Sequence, residues 1–104
     1  MGLVKKILLI LLFLTFTSSV FADDKMVLGL EVYNNKAQCG ACHTLQAADS
    51  AGNIGPNLDQ LKAQMPQIIS AVTSGIGVMP PWEGILTFEE IEAVVYYVFN
   101  STNK

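Results

Sequence analysis

The amino-acid sequence predicts an all-α protein in which short helices are joined by long loops. Three segments, 23–39, 66–75 and 86–100, carry apolar residues at the three- and four-residue spacing of a helix face. The stretches between them, 46–61 and 75–82, contain the glycines, prolines and asparagines that form turns. The sequence has no convincing run of alternating apolar and polar residues, the pattern of a half-buried strand. With 104 residues the chain is long enough for one small domain.

Residues 1–22 have the pattern of a secretory signal peptide. Two lysines precede an apolar run, and Val20 and Ala22 supply the expected cleavage site. The apolar run is shorter than the ~20 residues that cross a bilayer. We therefore expect cleavage after Ala22 and a domain spanning 23–104 in the periplasm, with an uncleaved membrane anchor as the alternative.

The first predicted helix carries acidic residues at its start and a glycine in its interior. Asp23 and Asp24 lie where the helix dipole favours negative charge. Gly29 inside a helix costs roughly 1 kcal/mol relative to alanine. We therefore expect another element to approach the helix closely at Gly29.

The other two helices have clear start and stop signals. Pro66 suits a first helical turn, and Gly75 suits the position just after the last one. Thr87 and Glu90 form a capping box at the start of the last helix. That helix has a broad apolar stripe, formed by Phe88, Ile91, Val94, Val95, Val98 and Phe99.

The net charge of the chain limits the kinds of molecule that it could bind. Six basic residues, two of them in the leader, stand against nine acidic ones, so cleavage leaves a net charge of −5. The predicted mature chain has four lysines and no arginine. An acidic surface without basic clusters argues against binding to nucleic acids or anionic membranes.

All the cysteines and histidines of the chain lie in one motif, Cys39-Gly40-Ala41-Cys42-His43. A thiol redox pair is one interpretation, but it is typical of a βαβ context that this sequence lacks. Structural zinc is a second, but it needs four ligands and the motif supplies at most three. The spacing of two cysteines with a trailing histidine favours covalent haem attachment, with His43 as the proximal iron ligand.

The order of motifs resembles that of a small monohaem class I cytochrome c of the bacterial, periplasmic type. The motif at 39–43 is followed by Gly-Pro-Asn-Leu at 55–58, by Gly-Val-Met-Pro-Pro-Trp at 77–82 and by a capped C-terminal helix. The resemblance spans the predicted mature chain. It implies a class I cytochrome c fold, with three to four short helices and loops wrapped around one haem c bound through Cys39 and Cys42.

The resemblance also implies a second iron ligand. Methionine is the usual partner of histidine in cytochromes c, and Met79 lies in a loop similar to the methionine-proline ligand loop of the family. Met26 lies on the first helix and Met65 directly precedes the second. We therefore expect His43 and Met79 to coordinate the iron.

Further site residues follow from the same resemblance. The Pro56 carbonyl would accept the proton on the far nitrogen of His43, although Gly-Pro-Asn would also form a plain turn. Trp82 would cover the haem edge or donate to a propionate. The residues expected to line the haem are Leu58, Leu61, Ile69 and Val72. Gly29, Tyr33 and Tyr97 match the positions where the first and last helices cross in the family.

These expectations define an electron-transfer protein, not an enzyme. It would be a monomer that shuttles single electrons between a dehydrogenase or quinol-oxidising complex and a terminal oxidase. The main alternative is a dedicated cytochrome subunit of a periplasmic oxidoreductase, such as a sulfite- or thiosulfate-oxidising enzyme. A ligand sensor or peroxidase with an open iron position, and a thiol oxidoreductase, are further alternatives. Since residues 63–103 contain no lysine, we expect an apolar docking surface formed by Ile76, Val78, Pro80 and Pro81.

Overall fold

The computed structural model describes residues 21–104. The expected signal peptide lies outside these residues except for Phe21 and Ala22. Helix α1 covers 21–31 and continues into a π-helical turn, Val32–Lys36. The remaining elements, in chain order, are a 3₁₀ turn (Cys39–Ala41), strand β1 (Thr44–Leu45), a 3₁₀ turn (Gln46–Ala48), strand β2 (Ser50–Ala51), and helices α2 (Leu58–Leu61), α3 (Met65–Ser74) and α4 (Phe88–Thr102).

The predicted all-α class is confirmed, and the strands form a single short hairpin in the described part of the chain. β1 and β2 pair antiparallel, with Thr44 opposite Ala51 and Leu45 opposite Ser50. Strands of two residues are too short to leave an alternating pattern in the sequence. Within residues 21–104, no helix is long and apolar enough to cross a membrane.

Helices α1 and α4 cross at Gly29, as the sequence predicts. A Cβ atom on Gly29 would lie 2.3 Å from the Ala93 carbonyl oxygen and 2.4 Å from the Cβ of Tyr97. Four residues after Gly29, the ring of Tyr33 packs against that of Tyr97, with the ring centroids 6.0 Å apart. The absence of a side chain at Gly29 therefore allows the two backbones to meet.

Helix α4 forms one side of the core. The predicted capping box is present: Glu90 N–H donates to Thr87 Oγ1 at 3.1 Å, and Thr87 N–H donates to Glu90 Oε1 at 2.9 Å. Helix α3 packs against α4 and contributes two buried residues, Ile68 and Val72. The buried apolar residues of α4 are Ile91, Ala93, Val94, Val95, Tyr97 and Val98.

The predicted apolar stripe of α4 is wrong at one position, Phe88. Phe88 is 78% exposed. It is the first residue of α4, and helical side chains lean towards the N-terminus of their own helix. Its ring therefore extends beyond the end of the packed stretch.

Two predicted boundaries also need correction. The first helix does not run to Cys39, because α1 gives way to the π-helical turn and then to a break before the 3₁₀ turn. Helix α2 lies in a segment predicted as loop. Asn57 caps it by accepting from the backbone N–H groups of Asp59 and Gln60, and Lys62 ends it with φ of 47°. One helical turn is too short to show a periodic pattern.

Helix α3 agrees with its prediction to within one residue. Gln64 and Gln67 form a reciprocal capping box at its start, and Pro66 lies in its first turn. Gly75 follows its last residue with φ of 72°, a left-handed conformation that favours glycine. Helix α3 therefore ends at Ser74, just before the glycine.

Candidate functional site

The Cys39–His43 motif forms one compact turn. Gln38 enters it in the left-handed conformation, with φ of 50°. The carbonyl oxygen of Cys39 then accepts from the N–H groups of Cys42 at 3.1 Å and His43 at 3.0 Å. This turn brings two half-buried free thiols and the imidazole together on a short stretch of backbone.

The environment of Cys39 is unlike that of a reactive redox thiol. Burial raises the pKa of the Cys39 thiol to about 11. Reactive cysteines in redox motifs have lowered pKa values, because the thiolate is the nucleophile. Burial shifts the pKa of Cys39 in the opposite direction, which gives no support to the thiol oxidoreductase interpretation.

The His43 ring is fixed by the segment 55–56. Its Nδ1 lies 2.7 Å from the carbonyl oxygen of Pro56. A carbonyl oxygen can only accept, so Nδ1 carries the proton and Nε2 keeps the lone pair that binds a metal. Gly55 packs flat against the ring: a Cβ there would lie 2.6 Å from His43 Cε1. The N–H of Gly55 also donates to the Cys42 carbonyl oxygen at 2.7 Å.

Met79 lies in a hydrogen-bonded turn after α3. Ile76 and Met79 exchange both backbone hydrogen bonds, at 3.0 and 3.1 Å. Gly77 occupies the turn with φ of 58°. Met79 is half-buried and packs against the core, and Met26 and Met65 do the same elsewhere. The structure thus holds the Met79 backbone in place without a helix.

The remaining candidate residues lie close to these two groups along the chain. Trp82 is half-buried, and its backbone N–H donates to the Val72 carbonyl oxygen at 2.9 Å, which ties the loop to α3. Leu58 is the half-buried first residue of α2. Of the other residues expected to line a haem, Val72 is buried, whereas Leu61 and Ile69 expose their apolar side chains.

The donor set fits haem better than a bare metal ion. In the part of the chain that the structure describes, no group of three or more His, Cys, Asp or Glu side chains could hold a metal ion. The motif instead offers two thiols for covalent bonds and one imidazole with a free Nε2. This combination matches a porphyrin attached through two thioethers with a histidine beneath its iron.

Comparison with known proteins identifies the family. Residues 25–98 match the family model described as "Cytochrome C oxidase, cbb3-type, subunit III". The fold is similar to the crystal structure of the c-type cytochrome SorU from Sinorhizobium meliloti, with a TM-score of 0.73 and 46% identity. That match covers 79% of this chain and 95% of SorU.

The chain belongs to the class I cytochromes c.

Curated relatives of this cytochrome include cytochromes c6. It is 34% identical over 99 residues to the chloroplastic cytochrome c6 of Chlamydomonas reinhardtii, across 86% of this chain. The chain spans 62% of that protein's length. It is 31% identical over 88 residues to the cytochrome c6 of Tetradesmus obliquus, across 75% of this chain and 92% of that protein.

The cofactor and general function of this cytochrome follow from its family. The cofactor is covalent haem c, and Cys39 and Cys42 have the spacing for its attachment. Cytochromes c are electron carriers that interact with redox partners. The predicted fold class, family and cofactor are therefore confirmed.

Sequence reasoning missed the hairpin that packs against the motif. A Cβ on Gly52 would lie 2.6 Å from the carbonyl carbon of Cys42 and 2.7 Å from the nitrogen of His43. The N–H of Gly52 donates to the His43 carbonyl oxygen at 3.1 Å. The sequence signal that could have indicated this packing is the pair of small residues, Gly40 and Gly52, on either side of the cysteine-histidine dipeptide.

Proposed function

We propose that this cytochrome is a periplasmic one-electron carrier in which His43 and Met79 are the axial ligands of its haem. Both ligand positions would then be filled by the protein, which leaves no open position for a substrate, so the protein would not be an enzyme. The hydrogen bond from His43 Nδ1 to the Pro56 carbonyl is the observation that carries the proposal. It orients the ring and raises the basicity of the free Nε2.

When bound, haem c supplies a single reversible electron, and the protein controls its surroundings. Cys39 and Cys42 would hold the porphyrin, and His43 would present Nε2 to the iron. The turn at 76–79 supports the assignment of Met79, because its paired backbone hydrogen bonds limit the positions open to the sulfur. A fixed ligand pair needs little rearrangement when the charge changes, which favours rapid transfer.

The Met79 turn is also the proposed docking surface. Val78 is 89% exposed and Ile76 is 70% exposed. Ile85, at the tip of the next turn, is 67% exposed. Glu83 is the single charged residue between Lys62 and Glu89. Pro80 and Pro81 are exposed as well. We define the apolar rim as Ile76, Val78, Pro80, Pro81 and Ile85. Its partner would present an uncharged apolar surface around its own redox centre.

Replacement of Met79 tests the ligand assignment. Met79→Ala should open one coordination position, so the reduced protein should bind carbon monoxide and its potential should fall. Met65→Ala and Met26→Ala are matched controls, because both methionines are half-buried against the core. Each control should retain the wild-type absorption spectrum. Carbon monoxide binding by Met65→Ala, with none by Met79→Ala, would reassign the distal ligand.

Location and partners need a separate experiment. Fractionation of native cells should place the protein in the periplasm, with the new N-terminus at Asp23. Gel filtration of that fraction should show a free monomer. In a redox assay, the purified monomer should accept electrons from a dehydrogenase or quinol-oxidising complex and reduce a terminal oxidase. Stable co-elution with an oxidoreductase subunit would instead assign a dedicated enzyme subunit.

A further inference from the structure

The hydroxyl of Ser50 lies at the centre of a polar cluster behind the Cys39–His43 motif. Its Oγ is 3.0 Å from the His43 carbonyl oxygen and 2.9 Å from the Tyr33 hydroxyl. It also accepts from the N–H of Leu45 at 3.1 Å. One side chain of β2 therefore contacts the backbone of the proximal histidine, the adjacent strand and helix α1's π-helical continuation.

The hydrogens in this cluster can be assigned. A serine hydroxyl has one hydrogen to donate, and a carbonyl oxygen can only accept. The His43 carbonyl oxygen is the nearer carbonyl, since that of Leu45 lies at 3.5 Å. Ser50 therefore donates to His43, and Tyr33 donates to Ser50. Burial raises the pKa of Tyr33 to about 12, so its phenol keeps its hydrogen at neutral pH.

Packing leaves the cluster little freedom. A Cβ on Gly40 would lie 2.7 Å from the Cβ of Ser50, so the hairpin rests directly on the motif's backbone. Tyr33 is fully buried and packs against Tyr97 of α4. The hydrogen-bonded chain from Tyr33 through Ser50 to His43 thus connects the crossing of α1 and α4 to the motif.

We propose that Ser50 is a positioning residue for the axial histidine. Its hydroxyl fixes the backbone of His43, while Pro56 fixes the ring, so the ligand is held at both ends. The functional part of this inference rests on the proposed role of His43 as an iron ligand. Hydrogen bonds around a metal ligand orient it and tune the metal.

The test compares Ser50→Ala with Ser70→Ala in the haem-loaded protein. Ser70 is an exposed serine on α3, so it controls for the change of residue type. Loss of one hydrogen bond is worth about 0.5–1.5 kcal/mol, so amide exchange at Leu45 should rise by about two- to thirteen-fold in Ser50→Ala. The hyperfine-shifted ring resonances of His43 in the oxidised protein should also move, together with the midpoint potential.

Tyr33→Phe separates the effect of the hydrogen bond between Tyr33 and Ser50 from that of the hydrogen bond between Ser50 and His43. It removes the phenol hydroxyl but leaves the contacts of Ser50 with His43 and Leu45, so its effect on the His43 resonances should be smaller. In the Ser50→Ala background, Tyr33→Phe should produce a smaller additional shift than in the wild type. This non-additivity is expected of groups in one hydrogen-bonded chain.

Two results would overturn the proposal. The first is that Ser50→Ala and Ser70→Ala show the same amide-exchange rate at Leu45 and the same His43 ring resonances. The second is a uniform rise in exchange that includes the Val94 and Val95 amides, which would mean that the hydroxyl contributes to global stability alone. Failure of the proposed function is distinguishable, because a wild-type spectrum without hyperfine-shifted His43 resonances would exclude His43 as a ligand.

Discussion

Gly29 and Tyr97 are in such close contact that a single added methyl group at residue 29 would lie 2.4 Å from the Tyr97 Cβ and 2.3 Å from the Ala93 carbonyl oxygen. Real Cβ atoms do not approach other heavy atoms so closely. Both obstructing atoms belong to α4's backbone or to the base of a side chain, so neither can swing aside.

Gly29→Ala should therefore destabilise the protein, although alanine is the better helix former by about 1 kcal/mol. Overpacking at a close contact costs about 1–3 kcal/mol. Denaturant unfolding of the haem-loaded protein measures the change in the free energy of unfolding. Val27→Ala on the same helix is the control, because Val27 is exposed. A stabilised Gly29→Ala protein would show that the helices can separate at little cost.

The ion pair between Lys36 and Glu90 should make stability depend on pH. Two hydrogen bonds, one from the Lys36 side chain and one from the backbone N–H of Thr87, lower the pKa of the Glu90 carboxyl from 4.5. The bond between Lys36 and Glu90 also raises the pKa of Lys36 from 10.5. The contribution of Glu90 is complete above 4.5 and is lost as pH falls through its lowered value. The contribution of Lys36 is complete below 10.5 and is lost as pH rises through its raised value.

Melting temperatures of wild type and Glu90→Gln across pH measure this contribution. Glutamine can keep the capping box, so the substitution removes mainly the charge. The difference in melting temperature between the two proteins should be constant between pH 4.5 and 10.5 and should shrink outside that window. Glu89→Gln, at an exposed position one residue earlier, should show no such profile.

Gly55→Ala should disturb the orientation of His43. The new methyl group would lie 2.6 Å from Cε1 and 2.9 Å from Nδ1 of the ring. The ring must then move away from the Pro56 carbonyl, and outer contacts of this kind are worth about 10- to 100-fold in metal affinity or activity. We expect a lower yield of haem-loaded protein and an altered absorption spectrum. Asn53→Ala, at an exposed position in the same loop, should match the wild type in both.

Docking at the apolar rim should be nearly insensitive to salt. Salt weakens docking only where charges attract each other, and at 0.1 M it largely screens charges more than roughly 10 Å apart; the rim residues carry no charge. Stopped-flow electron transfer to the native oxidase across a salt series measures this. Val78→Asp should slow transfer by about ten-fold, the equivalent of ~1.4 kcal/mol of docking free energy, while Val27→Asp on α1 should not. A steep loss of wild-type rate with rising salt would contradict the apolar model.

The sequence predicts those parts of the fold that have local signals. The capping box of Thr87 and Glu90 and the glycine after α3 each depend on a few neighbouring residues. The crossing at Gly29 came from the cost of a glycine inside a helix and from the family resemblance. The contact between His43 and Pro56 was implied by that resemblance alone, because nothing in a Gly-Pro-Asn turn indicates which donor it meets.

The parts that sequence missed depend on distant residues. Ser50 matters because its hydroxyl meets Tyr33, His43 and Leu45 at one point, and a single serine carries no pattern that indicates such a convergence. The β1–β2 hairpin and helix α2 are too short to show a period. The exposure of Phe88 depends on where the packed stretch of α4 begins, and the spacing of apolar residues along the sequence does not indicate that position.

The π-helical turn at Val32–Lys36 has a consequence for how this family can change in length. Such a turn accommodates one residue more than an α-helical turn does. Deleting one residue there would leave an ordinary α-helical turn, and the residues after it would keep nearly the same direction about the helix axis relative to Gly29. A deletion in the regular α-helix at 21–31 would instead rotate every following position by about 100°, since a helix has 3.6 residues per turn. Relatives that keep both the crossing at Gly29 and the cysteine motif should therefore lose a residue more readily within Val32–Lys36 than between Gly29 and Val32.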